Sequence, residues 1–109
     1  MASLPKLMKE IIAVYEKHGW QLRRLVLTAE TRIDLESALE FAGVDKTESV
    51  FDALWFSRQS QPDREAWELR LAAETPYALF ETFEADETQE QRDEMRQEME
   101  ARMREYLKR

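Results

Sequence analysis

Hydrophobic residues recur at two different spacings along this chain, and each spacing predicts a different secondary structure. In residues 4–18 they return every three or four positions, which predicts an amphipathic helix with one buried stripe. The stripe consists of Leu4, Leu7, Met8, Ile11, Ile12 and Tyr15. We expect Ser3 to cap its start, because a serine hydroxyl can accept a hydrogen bond from a first-turn amide. We expect Gly19 to end it, because glycine readily takes the left-handed conformation that closes a helix.

A strand and a second helix are predicted next. Residues 20–28 (WQLRRLVLT) contain an apolar run and partial period-two alternation, which indicates a strand. Arg23 and Arg24 interrupt both faces, so we expect an edge strand, where charge is tolerated. Residues 29–42 follow helical spacing, with Thr28 as N-cap and Gly43 as the stop. The polar residues after Gly43 are predicted to form a short link.

A β-hairpin is predicted in the middle of the chain. Residues 50–60 and 65–72 form its strands, and the Gln-Pro-Asp-Arg segment between them is typical of a turn. A four-residue loop pairs Ser60 with Glu65 and places Trp55 opposite Arg70 on the outer face, as a cation–π pair. The other face is assigned to the core through Leu54, Phe56, Trp67, Leu69 and Leu71. A slip of one residue would exchange the two faces.

Two further segments complete the predicted fold. Residues 75–84 fit a strand by their alternation and a helix by their Thr-Pro start, and we prefer the strand because a third strand stabilises a hairpin. Residues 86–109 contain neither glycine nor proline and predict a long charged helix with Asp86 as N-cap. Its apolar side is narrow and consists of Met95, Met99, Met103, Tyr106 and Leu107.

These elements predict one α+β domain that spans residues 1–109. Their order is α-β-α-β-β-β-α. We expect a mostly antiparallel sheet of about four strands, with the helices packed on one face.

Composition narrows the classes of function. The chain has 109 residues and no cysteine, which excludes disulfides and any cysteine-based catalytic or metal site. A net charge of −7 disfavours binding to a nucleic-acid backbone, and no apolar run is long enough to span a membrane. We therefore expect a cytoplasmic protein that binds neither nucleic acid nor membrane.

No pattern indicates catalysis or a cofactor. The single histidine, His18, has no predicted partner that would make it catalytic. Both glycines are assigned to helix ends, which excludes a glycine-rich phosphate loop. Asp45, Glu48 and Asp52 cluster, but they lack the spacing of a calcium loop and are interpreted as a solvated acidic loop. We predict no catalytic residue, no cofactor and no metal, and we lean against an enzyme.

A surplus of aromatic residues and methionines favours a binding function. The predicted interaction surface consists of Trp55, Arg70, Met95, Met99 and Met103. We expect a non-enzymatic protein-interaction module that contacts another protein or a second copy through its C-terminal helix, because methionine adapts to partners. Alternatively, the methionines cover the domain's own sheet. The rival hypothesis is a small-molecule-binding domain or enzyme with a pocket between sheet and helices. The residues expected to line that pocket are Trp20, Trp55, Trp67 or Tyr77.

Overall fold

The computed structural model describes residues 4–36 and 41–108, which form three helices and five strands. In chain order these are α1 (Leu4–Lys17), β1 (Gln21–Leu27), α2 (Ala29–Leu35), β2 (Asp45–Glu48), β3 (Ala53–Gln61), β4 (Arg64–Leu71), β5 (Ala78–Glu84) and α3 (Gln89–Leu107).

The five strands form one mixed sheet in the order β2-β1-β3-β4-β5. β1 and β2 are parallel and are joined through α2, whereas every other neighbouring pair is antiparallel. The predicted α+β class is confirmed. The sheet has one strand more than the predicted number of about four.

The additional strand is β2, in the segment that the sequence predicts as a polar link. Its four residues, DKTE, carry none of the apolar alternation by which a strand is detected. Because β2 pairs with β1, β1 is an interior strand, and the prediction that it forms an edge is wrong.

The first helix ends as its sequence predicts. Gly19 has a φ of 86°, and its amide donates to the Glu16 carbonyl at 3.1 Å. The Trp20 amide donates to the Tyr15 carbonyl at 3.0 Å, which completes a Schellman motif. The indole of Trp20 therefore turns back onto α1 and meets Tyr15 edge-on, with centroids 6.0 Å apart. The predicted cap at Ser3 lies outside the described residues.

The second helix begins at its predicted cap. The Thr28 hydroxyl accepts a hydrogen bond from the Thr31 amide at 3.2 Å. Asp52 reinforces this start, because its two oxygens accept from the Thr28 amide at 2.8 Å and the Thr31 hydroxyl at 2.9 Å. The helix ends at Leu35 with Glu36 as its C-cap, short of the predicted end at residue 42, and residues 37–40 of the predicted span lie outside the described ranges. Among the described residues only Gly19 has a positive φ, so Gly43 does not provide the predicted left-handed stop.

The turn of the hairpin is tighter than predicted. Only Pro62 and Asp63 separate β3 from β4, and Glu65 pairs with Gln59 instead of Ser60. Ser60 is the extra residue of a β-bulge, which absorbs one position of the strand. The predicted four-residue loop is therefore wrong, and the register is displaced by one residue.

This displacement splits the predicted core face between the two faces of the sheet, with Leu54 and Phe56 on one face and Trp67, Leu69 and Leu71 on the other. Trp55 pairs with Leu69, and Leu54 pairs with Arg70. The prediction that Leu54 shares a core face with Leu69 is therefore wrong, as is the assignment of Trp55 to an outer face.

Helices cover both faces of the sheet, not one face as predicted. The face beneath α1 and α2 (the α1 face) buries Met8, Ile11, Trp20, Leu25, Leu27, Leu35, Phe41, Leu54, Phe56 and Ala66. The face beneath α3 (the α3 face) buries Val26, Phe51, Ala53, Trp55, Trp67, Leu69, Leu71, Phe83, Met99 and Met103. Because both faces are buried, consecutive positions of β3 are apolar and alternation cannot separate an inner face from an outer one.

The last two elements follow the sequence closely. β5 confirms the preference for a strand within residues 75–84. α3 is the predicted long charged helix, but its N-cap is Thr88, not Asp86. The Thr88 hydroxyl accepts from the Gln91 amide at 3.1 Å, and the Gln91 side chain accepts from the Thr88 amide at 2.8 Å, which is a capping box. None of the helices in the described ranges has the length and apolar character needed to cross a membrane.

Candidate anion-binding cleft

The five residues predicted to form an interaction surface do not share an exposed surface. Trp55, Met99 and Met103 are 0% exposed. Met95 and Arg70 are half-buried. The three methionines pack on the α3 face of the sheet, which is the alternative that the sequence left open.

Trp55 and Arg70 lie on opposite faces of the sheet. The Trp55 indole nitrogen, Nε1, donates to Glu100 of α3 at 3.0 Å. The Arg70 guanidinium donates to the backbone carbonyls of Leu71 and Ala73, the latter at 3.2 Å. The predicted cation–π contact between Trp55 and Arg70 is therefore wrong, and both side chains are used inside the fold.

A polar cleft of about 520 Å³ lies between the sheet and the N-terminal half of α3. It is lined by Leu22, Arg23, Arg24, Asp45, Glu65, Trp67, Gln89, Arg92 and Arg96. We refer to it as the arginine cleft. Four arginines and two carboxylates give its lining a net charge of +2, in a chain whose net charge is −7. Its charge therefore favours an anion locally, against the sign of the whole protein.

A β-bulge places two of the arginines in this cleft. The pairing of β1 with β3 slips between Leu22 and Arg24, which leaves Arg23 as the extra residue. The Arg23 guanidinium lies over Trp67, 5.9 Å from the ring centroid, and Arg24 lies beside Arg96 at the edge of the cleft. In a regular strand consecutive residues point to opposite faces, but the bulge directs both arginines to the α3 face.

The other two arginines come from α3. Arg92, Arg96, Met99 and Met103 are four, three and four positions apart, so they form one stripe of the helix. The methionines fill the C-terminal half of the contact with the sheet. The arginines occupy its N-terminal half, where their aliphatic stems can cover apolar surface.

Arg96 lies deepest in the cleft and is only 6% exposed. Its guanidinium carbon lies 4.4 Å from the Trp67 ring centroid and 5.5 Å from that of Phe83. Nη2 donates to Asp93 Oδ1 at 2.9 Å, whereas the buried Nε has no hydrogen-bond acceptor among the described residues. A guanidinium has five N–H donors, so one carboxylate leaves this buried cation incompletely paired.

The surroundings of Arg96 disfavour its positive charge. Burial lowers the pKa of its guanidinium from the ordinary value, and the nearby charge of Arg24 lowers it further, while the Asp93 carboxylate opposes the change. Arginine stays protonated in proteins, so the energetic penalty persists. A negative charge between Arg24 and Arg96 would relieve it.

Glu65 is an internal counter-charge of the cleft. Its Oε1 accepts a hydrogen bond from Trp67 Nε1 at 2.5 Å and lies 3.5 Å from Arg92 Nη1. Arg92 also donates to the Glu84 carbonyl at 2.8 Å, so its position is fixed. Arg24 differs, because its side chain has no hydrogen-bond or ion-pair partner among the described residues.

The other residues considered in the sequence do not converge on a second site. His18 is exposed, and its carbonyl accepts from Arg58 at 2.9 Å. Asp52 uses both oxygens at the start of α2, and Asp45 lines the arginine cleft. Within residues 4–36 and 41–108, no three His, Asp or Glu side chains form a group that could hold a metal ion.

The four arginines of the cleft were not predicted from the sequence to form a site. Of the aromatic residues expected to line a pocket, Trp67 lines this one, whereas Trp20 and Trp55 are buried in the two cores. A signal for Arg92 and Arg96 was available, because they continue the methionine stripe at helical spacing.

The comparisons with known proteins yield no relative on which to base a function. No protein-family model, curated protein or solved structure matches this chain.

Proposed function

We propose that this protein is a binding domain for a small anionic ligand, which the arginine cleft holds. The observation that carries this proposal is Arg96, a guanidinium that is 6% exposed and whose Nε lacks an acceptor among the described residues. Removing such a charge from water costs several kcal/mol unless it is well paired. A ligand that brings negative charge beside this guanidinium would offset that cost.

The dimensions and lining of the cleft support a small polar ligand. Its volume of about 520 Å³ lies within the range of about 300–1,000 Å³ that is usual for small-molecule sites. Eight of its nine lining residues are charged or polar or carry a polar N–H, and Leu22 is the exception. An apolar ligand would supply no acceptor for Arg24 or for the incompletely paired Arg96, so an anion is the better fit.

Binding is favoured over catalysis by the types of side chain present. The lining supplies cations and donors, with Glu65 and Asp45 as its carboxylates. It contains no serine, threonine, histidine or lysine, and the Glu65 carboxylate, which could act as a base, is held by Trp67 and Arg92. The protein-interaction hypothesis stays a hypothesis, but Trp55, Met99 and Met103, which motivated it, are buried.

Thermal unfolding in the presence of anions tests the proposal. Phosphate, sulfate and citrate are each compared with chloride at equal ionic strength, which holds general screening constant. Wild-type protein should gain stability as the concentration of a bound anion rises, by about 1.4 kcal/mol at about ten times its Kd. Chloride should give a smaller gain.

Arg24→Gln is the informative variant, and Arg32→Gln is its matched control. The Arg24 side chain has no hydrogen-bond or ion-pair partner among the described residues, so its replacement should leave the unliganded fold intact. Arg32 is an exposed residue of α2, away from the cleft. The anion-dependent gain should shrink in Arg24→Gln and persist in Arg32→Gln. Equal gains in wild type and both variants would show that the anions act outside the cleft.

A further inference from the structure

Positive charge reaches the arginine cleft from two walls. Arg23 and Arg24 belong to β1 in the sheet, whereas Arg92 and Arg96 belong to α3. A carboxylate is planar and presents its two oxygens along one edge, which suits a single guanidinium fork. A phosphate group has three acceptor oxygens that point in different directions, so it can contact guanidinium groups on both walls at once.

The charge of the cleft favours an anion but does not fix the number of its charges. In the lining, four arginines are opposed by Asp45 and Glu65, which leaves a net charge of +2. Asp93 lies outside the lining but pairs with Arg96 at 2.9 Å, and counting it reduces the local charge to +1. The preference for a phosphate monoester therefore rests on its three acceptor oxygens, which can contact both walls.

The orientation of α3 adds to the same preference. Gln89, the first residue of this 19-residue helix, lines the cleft, so the positive end of the helix dipole lies beside it. Backbone amides at a helix N-terminus favour phosphate groups. This feature supports the assignment only together with Arg96, the buried guanidinium whose Nε lacks an acceptor among the described residues.

We infer that the ligand carries a phosphate monoester dianion, which binds between Arg24 on the sheet and Arg96 on α3. This inference rests on the proposed function, because it names the chemical class of the anion bound in the same cleft. Trp67 is 8% exposed, so its ring offers little surface for stacking an aromatic part of the ligand. Recognition is therefore centred on the phosphate group.

Matched probes separate this inference from general anion binding. Calorimetric titration of the full chain compares methyl phosphate, dimethyl phosphate and malonate at about pH 8 and constant ionic strength. At that pH a monoester is a dianion, because its second pKa is about 6. Dimethyl phosphate retains the tetrahedral phosphorus but is a monoanion, and malonate is a dianion built from carboxylates. Methyl phosphate should bind at least about tenfold more tightly than either.

Two variants assign the binding to the cleft. Arg96→Met removes the buried guanidinium and keeps an unbranched stem, and Arg24→Gln removes the unpaired arginine without disturbing a described contact. Each should weaken methyl phosphate binding by about tenfold or more. Arg24→Gln keeps the test decisive if Arg96→Met fails to fold.

The outcomes distinguish failure of the inference from failure of the proposed function. Malonate binding that equals or exceeds methyl phosphate binding, with loss in Arg24→Gln, would overturn the phosphate assignment and leave an anion-binding cleft. Equal binding of the two phosphate esters would overturn it as well. No binding of any anion, or binding unchanged in Arg24→Gln, would overturn both proposals.

One further arm identifies the source of the phosphate group. A short, otherwise neutral phosphoserine peptide is titrated beside methyl phosphate, with the unphosphorylated peptide as its control. Weaker or equal binding of the phosphopeptide supports a free small molecule as the ligand. Tighter binding that requires the phosphate supports the same phosphate chemistry carried on a polypeptide.

Discussion

On each face of the sheet, the covering helix places one polar side chain against the strands. The polar groups of Tyr15 on α1 have hydrogen-bond partners, whereas those of Arg96 on α3 are only partly satisfied. On the α1 face, the Tyr15 hydroxyl donates to Glu68, and its ring stacks on Phe56 with centroids 4.0 Å apart. On the α3 face, the Arg96 guanidinium stacks on Trp67 at 4.4 Å, but its Nε has no acceptor among the described residues. The first arrangement is a structural contact, because every group that it buries is satisfied. In the second, the fold buries a charge that it does not fully pair, and this is the basis of the proposed anion site.

The same contrast divides α3 along its length. Its C-terminal half is held by apolar burial, with Met99 and Met103 both 0% exposed. Its N-terminal half lies over the arginine cleft and carries Arg92 and Arg96. The C-terminal half therefore anchors the helix to the sheet. Its apolar burial offsets the cost of holding arginine side chains against the sheet in the N-terminal half. Such a division is typical of functional sites, which depart from the rules that stabilise the rest of a fold.

The largest effect is expected in the anchoring half. Met99→Ala removes a fully buried side chain and leaves a cavity between α3 and the sheet, so the free energy of unfolding should fall by about 2–5 kcal/mol. Urea denaturation measures this change. Met95→Ala is the control, because Met95 is only half-buried and should cost less. Equal and small losses in both variants would show that α3 is not anchored by the methionine stripe.

The paired polar group on the α1 face should give the next largest effect. Tyr15→Phe keeps the aromatic ring but removes the donor to Glu68, so it should cost about 1–2 kcal/mol of unfolding free energy. Tyr106→Phe is the matched control, because the Tyr106 ring stacks on Tyr77 at 3.6 Å and its hydroxyl has no hydrogen bond in the described residues. A loss no larger in Tyr15→Phe than in the control would contradict the role of the hydrogen bond.

The Tyr15 contact also predicts a dependence on pH. Burial, and secondly Glu68, raises the pKa of Tyr15 above the ordinary tyrosine value of about 10. Below that value the hydroxyl is protonated in both the folded and unfolded states, so its contribution to stability is complete. Above it the unfolded chain releases the proton more readily, so stability falls as the pH rises. Between about pH 9 and 11 the unfolding free energy of wild type should therefore fall more steeply than that of Tyr15→Phe. Parallel curves for the two proteins would contradict this assignment.

Local signals in the sequence predicted most elements of this fold but not their arrangement. The Schellman motif at Gly19 and the cap at Thr28 depend on neighbouring residues, so they could be identified directly. β2 has four polar residues and is held by its parallel neighbour, so no periodicity marks it. The hairpin register depends on the bulge at Ser60, and with both faces apolar the pattern could not reveal the slip.

The candidate cleft was beyond sequence reasoning for a related reason. Arg23 lies near one end of the chain and Arg92 near the other, and only the fold brings them to one cleft. Charged residues on strands and helices usually face water, so each arginine taken alone indicates nothing unusual. The stripe that Arg96 shares with Met99 is the one local sign that an arginine of α3 faces the sheet.

Arg96→Met tests the comparison between the two faces directly. Because the guanidinium is buried and incompletely paired, replacing it with an apolar side chain of similar length should change the unfolding free energy by no more than about 1 kcal/mol, in either direction. Loss of the cation–π contact with Trp67 opposes the gain from removing the buried charge. Stabilisation by added phosphate should disappear in the same variant, and thermal unfolding with and without phosphate measures both effects.

Arg102→Met is the control for this experiment. Arg102 forms an exposed pair with Glu98 at 3.3 Å on α3, away from the cleft, so phosphate should stabilise this variant as it does wild type. A loss above about 2 kcal/mol in Arg96→Met, with the phosphate effect intact, would make Arg96 a structural residue like Tyr15.

The smallest expected effect concerns Glu65, which limits how strongly the cleft attracts anions. Its carboxylate accepts from Trp67 and lies 3.5 Å from Arg92, so it competes with a ligand for the same cation. Glu65→Gln removes this negative charge and keeps an oxygen that can still accept from Trp67 Nε1. Its Coulomb repulsion of a dianion over roughly 7 Å in a water-like medium is about 1 kcal/mol, so without it phosphate affinity should rise about threefold to tenfold. Glu98→Gln makes the same change of net charge on the exposed side of α3 and should leave affinity nearly unchanged. Equal gains in the two variants would mean that net charge alone sets the affinity, whereas a gain confined to Glu65→Gln would place the anion in the arginine cleft.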